Sequence, residues 1–168
     1  VSLIARGPHS EAIRANGLKV VRHDEAFIVQ CRATDHPTSV GQVDLVLFCV
    51  KTYQSEVALG FMQQLVGPDT TVLCLQNGID SYITAANVLG SGSVLPGAAF
   101  IEAGLLGPGI IKQTGSLVRI IMGETDGSET ERCLEIREIF IAAEVTDEVL
   151  QEIKAGVWGK FMLIDCVL

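Results

Sequence analysis

At 168 residues, 48% hydrophobic and with mean hydropathy +0.39, the chain can bury the core of one domain and the start of a second, which excludes a disordered segment. Twelve basic against twenty acidic residues leave a net charge of −8, which argues against nonspecific binding to nucleic acid or to an anionic membrane and requires local groups for any anionic ligand. Five cysteines (Cys31, Cys49, Cys74, Cys133, Cys166), odd in number and without C-x-x-C spacing, fall mainly inside apolar runs and read as buried free thiols of a reducing cytoplasm rather than as disulfides or zinc ligands. No apolar run approaches the roughly 20 residues of a membrane span, and no signal peptide is visible in a chain that opens inside a strand.

In chain order, Val1 to Ala5 reads as a strand followed by a loop at Arg6-Gly7. Pro8 can open a short helix that Gly17 closes, with Ile13 on its buried side. Leu18 to Arg22 and Ala26 to Arg32 flank His23-Asp24-Glu25 and predict a hairpin. Val43 to Val50 reads as a central strand. Between Gln54 and Leu65, the residues Val57, Ala58, Phe61, Met62 and Leu65 recur at helical spacing, and Gly67-Pro68 ends that helix.

Thr71 to Leu75 is a second central strand, Asp80 can cap a helix to about Leu89, and Val94 to Phe100 is another strand. Ile110-Ile111 and Leu117 to Met122 read as a β pair amid turn glycines. Ser128-Glu129-Thr130-Glu131 fits a capping box opening a helix to about Ala142, with Cys133, Ile136 and Phe140 buried. Glu144-Val145 predicts a last short strand, and Asp147 a cap for a final helix carrying Trp158 and Lys160.

Strand and helix alternation predicts a doubly wound α/β domain, and its centre is the stretch from Asp44 to Gly78. The runs 45–50 and 71–75 are continuous and apolar, as strands buried on both faces of a parallel sheet are. Ligands of such sheets sit beyond the carboxyl ends of the strands, so Lys51 and Asn77 are the first functional candidates. Lys51 can bind a ribose or orient a substrate, or it can be a snorkelling surface lysine. Asn77-Gly78 can serve a ligand, or it can be a turn whose residues tolerate left-handed backbone. No G-x-G-x-x-G turn occurs anywhere, so the sheet reads as lacking its first βα unit if it binds a dinucleotide. His9, His23 and His36 give no convergent metal spacing, and no Ser-His-Asp arrangement can be argued.

Several segments together resemble the ketopantoate reductase (2-dehydropantoate 2-reductase) family. They are Val1-Ser2-Leu3-Ile4-Ala5-Arg6-Gly7-Pro8-His9 with Ile13-Arg14-Ala15-Asn16-Gly17-Leu18, then Val50-Lys51-Thr52-Tyr53-Gln54, Leu75-Gln76-Asn77-Gly78, Ile121-Met122-Gly123-Glu124 and Val157-Trp158-Gly159-Lys160-Phe161. The resemblance runs the whole length in the family's order. It implies a Rossmann-like NADP-binding domain, incomplete at its N-terminus, over residues 1–146, and over 147–168 a linking helix toward an all-helical C-terminal domain. The implied activity is NADPH-dependent reduction of a small-molecule 2-keto acid, ketopantoate to pantoate, in a cytoplasmic enzyme without nucleic-acid or membrane partners; a homodimer stays open.

The resemblance also assigns residues. Arg6 follows the second strand of the family's fold, where NAD-preferring Rossmann domains carry an acidic residue; its guanidinium suits the 2′-phosphate of NADP, the alternative being a solvated loop arginine. Asn77 is implied near the nicotinamide and substrate. Lys160, in the Trp-x-Lys motif, is implied as the catalytic residue that stabilises charge on the ketone oxygen and supplies its proton, the alternative being a lysine on a wet helix face. Many family members have asparagine four residues later, where this chain has Ile164. Two readings follow: a partial NADPH-dependent 2-keto acid reductase, and a non-catalytic dinucleotide-binding or sensing module of the same fold.

Overall fold

In a computed structural model, residues 1–23 and 25–167 are described. Asp24, in the expected hairpin turn, and Leu168 lie outside the described residues. The elements in order are β1 (Ser2–Ile4), α1 (Gly7–Asn16), β2 (Leu18–Arg22), β3 (Glu25–Val29), β4 (Arg32–Thr34), β5 (Leu45–Phe48), α2 (Ser55–Met62) and β6 (Thr71–Cys74). They continue with α3 (Ser81–Leu89), β7 (Val94–Gly107), β8 (Ile110–Met122), α4 (Glu131–Ala142), β9 (Thr146–Val149) and α5 (Ile153–Val167). The expected α/β class with a predominantly parallel sheet is what these elements build.

Two compact units share the chain. Val1–Gly41 and Ile101–Leu117 form one, in which β1 pairs in parallel with β4, β2 pairs antiparallel with β3, and β2 also pairs in parallel with the start of β8 through Lys19↔Ile110. Helix α1 ends where Gly17 takes φ 79° and its N–H donates to the Ile13 carbonyl at 2.8 Å. A Cβ there would lie 2.9 Å from the Val29 carbonyl oxygen, so both backbone conformation and space demand glycine. Ile13 is buried, as its place on the helix predicts.

The other unit holds Gln42–Phe100 and the chain from Val118 onward. Strand β6 lies between β5 and β7, parallel to both, and all four of its residues are buried. That explains its unbroken apolar run: a central strand covered on both faces has no wet side to alternate with. Leu73, Leu75, Leu95, Ile120 and Met122 pack against Cys133, Ile136 and Phe140 of α4, each large apolar side chain contributing about 1.5–3 kcal/mol of burial. A smaller cluster of Ala98, Ile121, Ile153 and Val157 seats α5.

Several local expectations are corrected. Leu59, Met62 and Leu65 face the core from the α2 region, whereas Val57 and Phe61 are about half exposed: helix α2 is apolar on most of its circumference, so periodicity did not single out one face. Residues 110–122 form one strand rather than two pieces. The capping box at 128–131 does not form; Thr130 donates its hydroxyl to Glu124 Oε1 at 2.7 Å, and Ser128 donates to Asp126 at 2.7 Å. The last strand is Thr146–Val149 rather than Glu144-Val145, and Asp147 lies inside it instead of capping a helix. Cys74 and Cys133 are buried, but Cys49 and Cys166 are exposed.

Candidate active site

Parallel pairing of β5 with β6, in the register Phe48↔Cys74, brings the carboxyl ends of the two strands level. Among the described residues β5 is the edge strand rather than a central one, and Leu47 is about half exposed, because β5 is covered by a neighbour on one side only. Residues 49–52 and 75–77, which leave those ends, line a cavity of about 150 Å³. Lys51 stands exposed at the head of the short helical turn Thr52–Gln54, and Asn77 is exposed just past β6. Gly78 takes φ 109°, a backbone conformation that L side chains rarely adopt, and so turns the chain away behind Asn77.

Gln76 fastens the two strand ends together. Its Nε2 donates to the Val50 carbonyl at 2.7 Å and to Ser55 Oγ at 2.9 Å, while its buried Oε1 has no hydrogen-bond partner among the described residues. The segment bearing Lys51 is thus held beside the segment bearing Asn77 by a side chain, in addition to the backbone ladder. A buried carboxamide oxygen without a donor is a costly arrangement, and it borders the same cavity.

Lys160 meets Asn77 directly. It sits on α5, only 8% exposed, and its Nζ donates to Asn77 Oδ1 at 2.8 Å. An ammonium carries only donors, so the carboxamide must present its oxygen here and keeps its NH₂ free to donate elsewhere. Burial holds the Lys160 pKa below the usual lysine value, because desolvation penalises the charged form. Helix α5 is fixed to place it: Ile153 and Val157 are buried against Ile121 and Ala98, and Lys160 follows Val157 after three residues on the same face.

Neither sequence motif nor spacing pointed to a further neighbour, the Phe100 ring at the end of the predicted strand 94–100. Lys160 Nζ lies 5.8 Å from its centroid and Arg119 Cζ lies 5.5 Å from it, the Arg119 guanidinium also pairing with Glu148. The strand 94–100 is apolar or small throughout, so nothing in its pattern marks which helix Phe100 will meet. Gln76 was within the quoted motif next to Asn77, but only the fold shows what it ties together.

Arg6 belongs to the first unit. It follows β1 directly, is exposed, and has extended backbone (φ −124°, ψ 156°) at the N-cap of α1, with no ion pair among the described residues. Ile164, one helical turn beyond Lys160 on α5, is partly buried. The described residues contain no group of three or more His, Cys, Asp or Glu side chains able to hold a metal, and no helix long and apolar enough to cross a membrane.

Comparison with known proteins gives a consistent result. The family described as Ketopantoate reductase PanE/ApbA matches residues 1–127. The chain is 27% identical to a 2-dehydropantoate 2-reductase of Mesorhizobium japonicum over 95% of its own length and 55% of that protein. It is 30% identical to the 2-dehydropantoate 2-reductase of Pyrococcus abyssi, covering 95% of this chain and 51% of the relative. Among solved structures, 2-dehydropantoate 2-reductase from Porphyromonas gingivalis W83 superposes with a TM-score of 0.91 at 34% identity, covering 98% of this chain and 58% of that one. The chain spans about half the length of the curated relatives it matches.

Proposed function

We propose, for a chain that belongs to the ketopantoate reductase (PanE/ApbA) family, that it is the Rossmann-like part of an NADPH-dependent reductase of a small 2-keto acid, 2-dehydropantoate foremost. The observation that carries the reading is the buried Lys160 ammonium bonded at 2.8 Å to Asn77, the residue that leaves the carboxyl end of the central strand β6. A dinucleotide fits this place chemically. The unpartnered Gln76 acceptor borders the cavity, Lys51 supplies a cation, and a free Asn77 amide can donate to a carbonyl.

NADPH, when bound, supplies the hydride that reduces the ketone. Lys160 stabilises the negative charge that builds on the ketone oxygen and gives it a proton from Nζ. Asn77 orients that ammonium by accepting one of its three N–H bonds, so the remaining two point elsewhere. Desolvation brings the lysine toward neutrality, where a proton donor works best. Lys51 binds the ribose side of the cofactor, and Arg6 holds the 2′-phosphate that distinguishes NADPH from NADH.

Residues 1–146 then form the nucleotide-binding domain, and 147–168 lead into a helical domain. The exposed Trp158, Phe161, Met162 and Leu163 on α5 support that division, since they offer an apolar surface for further helices. We place the enzyme in the cytoplasm, with a keto acid as its small-molecule partner and a homodimer as the assembly to test. Ile164 favours a second reading, a non-catalytic sensing module, because an apolar residue one turn after Lys160 offers the substrate no hydrogen bond.

Turnover decides between them. The full-length protein should oxidise NADPH in the presence of 2-dehydropantoate, and Lys160→Ala should lower kcat about 10²-fold or more with NADPH binding little changed. Because the donor must be protonated, kcat should fall as pH rises through the Lys160 pKa, and this basic limb should vanish in the variant. A protein that binds NADPH yet reduces no 2-keto acid would establish the sensing module instead.

A further inference from the structure

Taking a cation out of water costs free energy that something nearby must offset. Lys160 is 8% exposed, and no carboxylate lies within ion-pair distance of it among the described residues. Its single hydrogen-bond partner there is Asn77 Oδ1, which fixes one point of contact and leaves the ammonium free to pivot about it. A second contact is the Phe100 ring, with Nζ 5.8 Å from the centroid and so within the roughly 6 Å reach of a cation–π interaction.

We infer that Phe100 is a positioning residue for Lys160: its ring face is the second contact that, with Asn77, fixes the direction in which the ammonium points. The inference rests on the reading of Lys160 as the proton donor. The choice of a ring over a carboxylate has a chemical consequence. A carboxylate at this place would hold the proton on the lysine, whereas the ring quadrupole is a weaker attractor, so desolvation still dominates and the proton remains transferable. The charged groups that share the ring are Arg119 on β8 and, paired with it, Glu148 on β9. Arg119 Cζ lies 5.5 Å from the centroid, so the ring is engaged by two cations from different elements and its orientation is fixed from both.

The contact is electrostatic, so it can be weakened without changing the size of the residue. Mono-, di- and trifluorophenylalanine at position 100 of the full-length protein progressively drain negative charge from the ring face. Titration of Lys160 by NMR should then give a pKa that falls stepwise along the series. The value of kcat should decline in the same order while KM for the keto acid stays level. Phe100→Tyr should retain kcat, and Phe100→Leu, apolar but without a quadrupole, should lose about tenfold. A Lys160 titration indifferent to fluorination, or an effect confined to KM, would overturn the inference. If Lys160→Ala leaves turnover intact, the proton-donor reading fails, while the NMR titration still judges the ring contact by itself.

Discussion

Gly123, between β8 and the Glu124–Arg132 ion pair, allows a cost to be worked from distances. Its φ is not in the left-handed range, so alanine there would carry no backbone strain and the penalty is one of space. A Cβ at this position would lie 2.1 Å from the Leu150 carbonyl oxygen and 3.2 Å from Ile153 Cβ. Ordinary C···O contacts begin near about 3.3 Å, so about 1 Å of backbone displacement is needed. Both sides resist it: Leu150 N–H donates to the Met122 carbonyl at 2.8 Å, and Gly123 N–H donates to the Pro96 carbonyl at 3.3 Å. Gly123→Ala should therefore cost about 3 kcal/mol, the upper end of overpacking penalties, and lower Tm by about 6–12 °C in a domain of this size. The matched control is Gly159→Ala in α5, where no atom lies within 4 Å of the added methyl and helix propensity should return about 1 kcal/mol. Urea and thermal unfolding of both variants measure the difference. Equal stability of Gly123→Ala and the parent protein would refute the steric argument. Since α5 begins at Ile153, the displaced helix should also weaken the Lys160–Asn77 bond and reduce kcat.

Arg6→Ala should weaken NADPH binding by about 1.5–3 kcal/mol with little change for NADH, as isothermal titration would show; equal losses for both cofactors would remove Arg6 from the 2′-phosphate site. Asp147 has a buried Oδ2 without a hydrogen bond, 3.7 Å from Arg137 Nε, and burial raises its carboxyl pKa above the usual value. A raised acid pKa means that the folded state holds the proton more tightly, so this contribution to stability is complete below about pH 4 and is lost as pH rises through the folded value. Asp147→Asn should accordingly raise the urea midpoint at neutral pH, with the gain vanishing in acid; a lower midpoint at neutral pH would mean that the pairing with Arg137 outweighs the desolvation.

Much of the fold was legible where burial is symmetrical or strongly one-sided. Strand β6 announces itself because 71–75 is a continuous apolar run buried throughout, and α4 because Cys133, Ile136 and Phe140 repeat at helical spacing and are all buried. The run 45–50 marks a strand too, but its apolarity overstated its burial, since β5 lies at the sheet edge among the described residues with Leu47 about half exposed. Strand β4 was missed: Arg32-Ala33-Thr34 is too short and polar to signal a strand, and it exists because β1 offers it a parallel partner. The capping box failed because the helix begins at Glu131 with Thr130 at its N-cap, so Ser128 stands outside the helix start, where its hydroxyl donates to Asp126 instead. Within the candidate site, Lys51 and Asn77 could be found from their positions after apolar strand runs. The meeting of Lys160 with Asn77 spans 83 residues, and Phe100 carries no motif at all, so both depend on tertiary geometry that local pattern does not encode.

The first compact unit is discontinuous in sequence, and this bears on how the protein is made. Lys19 of β2 finds its parallel partner Ile110 only after about 90 further residues have left the ribosome, roughly 5–20 s at ordinary rates of synthesis. During that interval β2 and β3 can close their local hairpin, but one edge of β2 stays without its ladder. Phe27, Ile28 and Val29 on the neighbouring strand remain about half exposed even in the finished fold. The nascent chain therefore presents an apolar strand pair with an open edge for seconds, the kind of surface that holding chaperones engage. Slowing translation before residue 110 should prolong that exposure, whereas slowing it after residue 117 should leave the unit free to close.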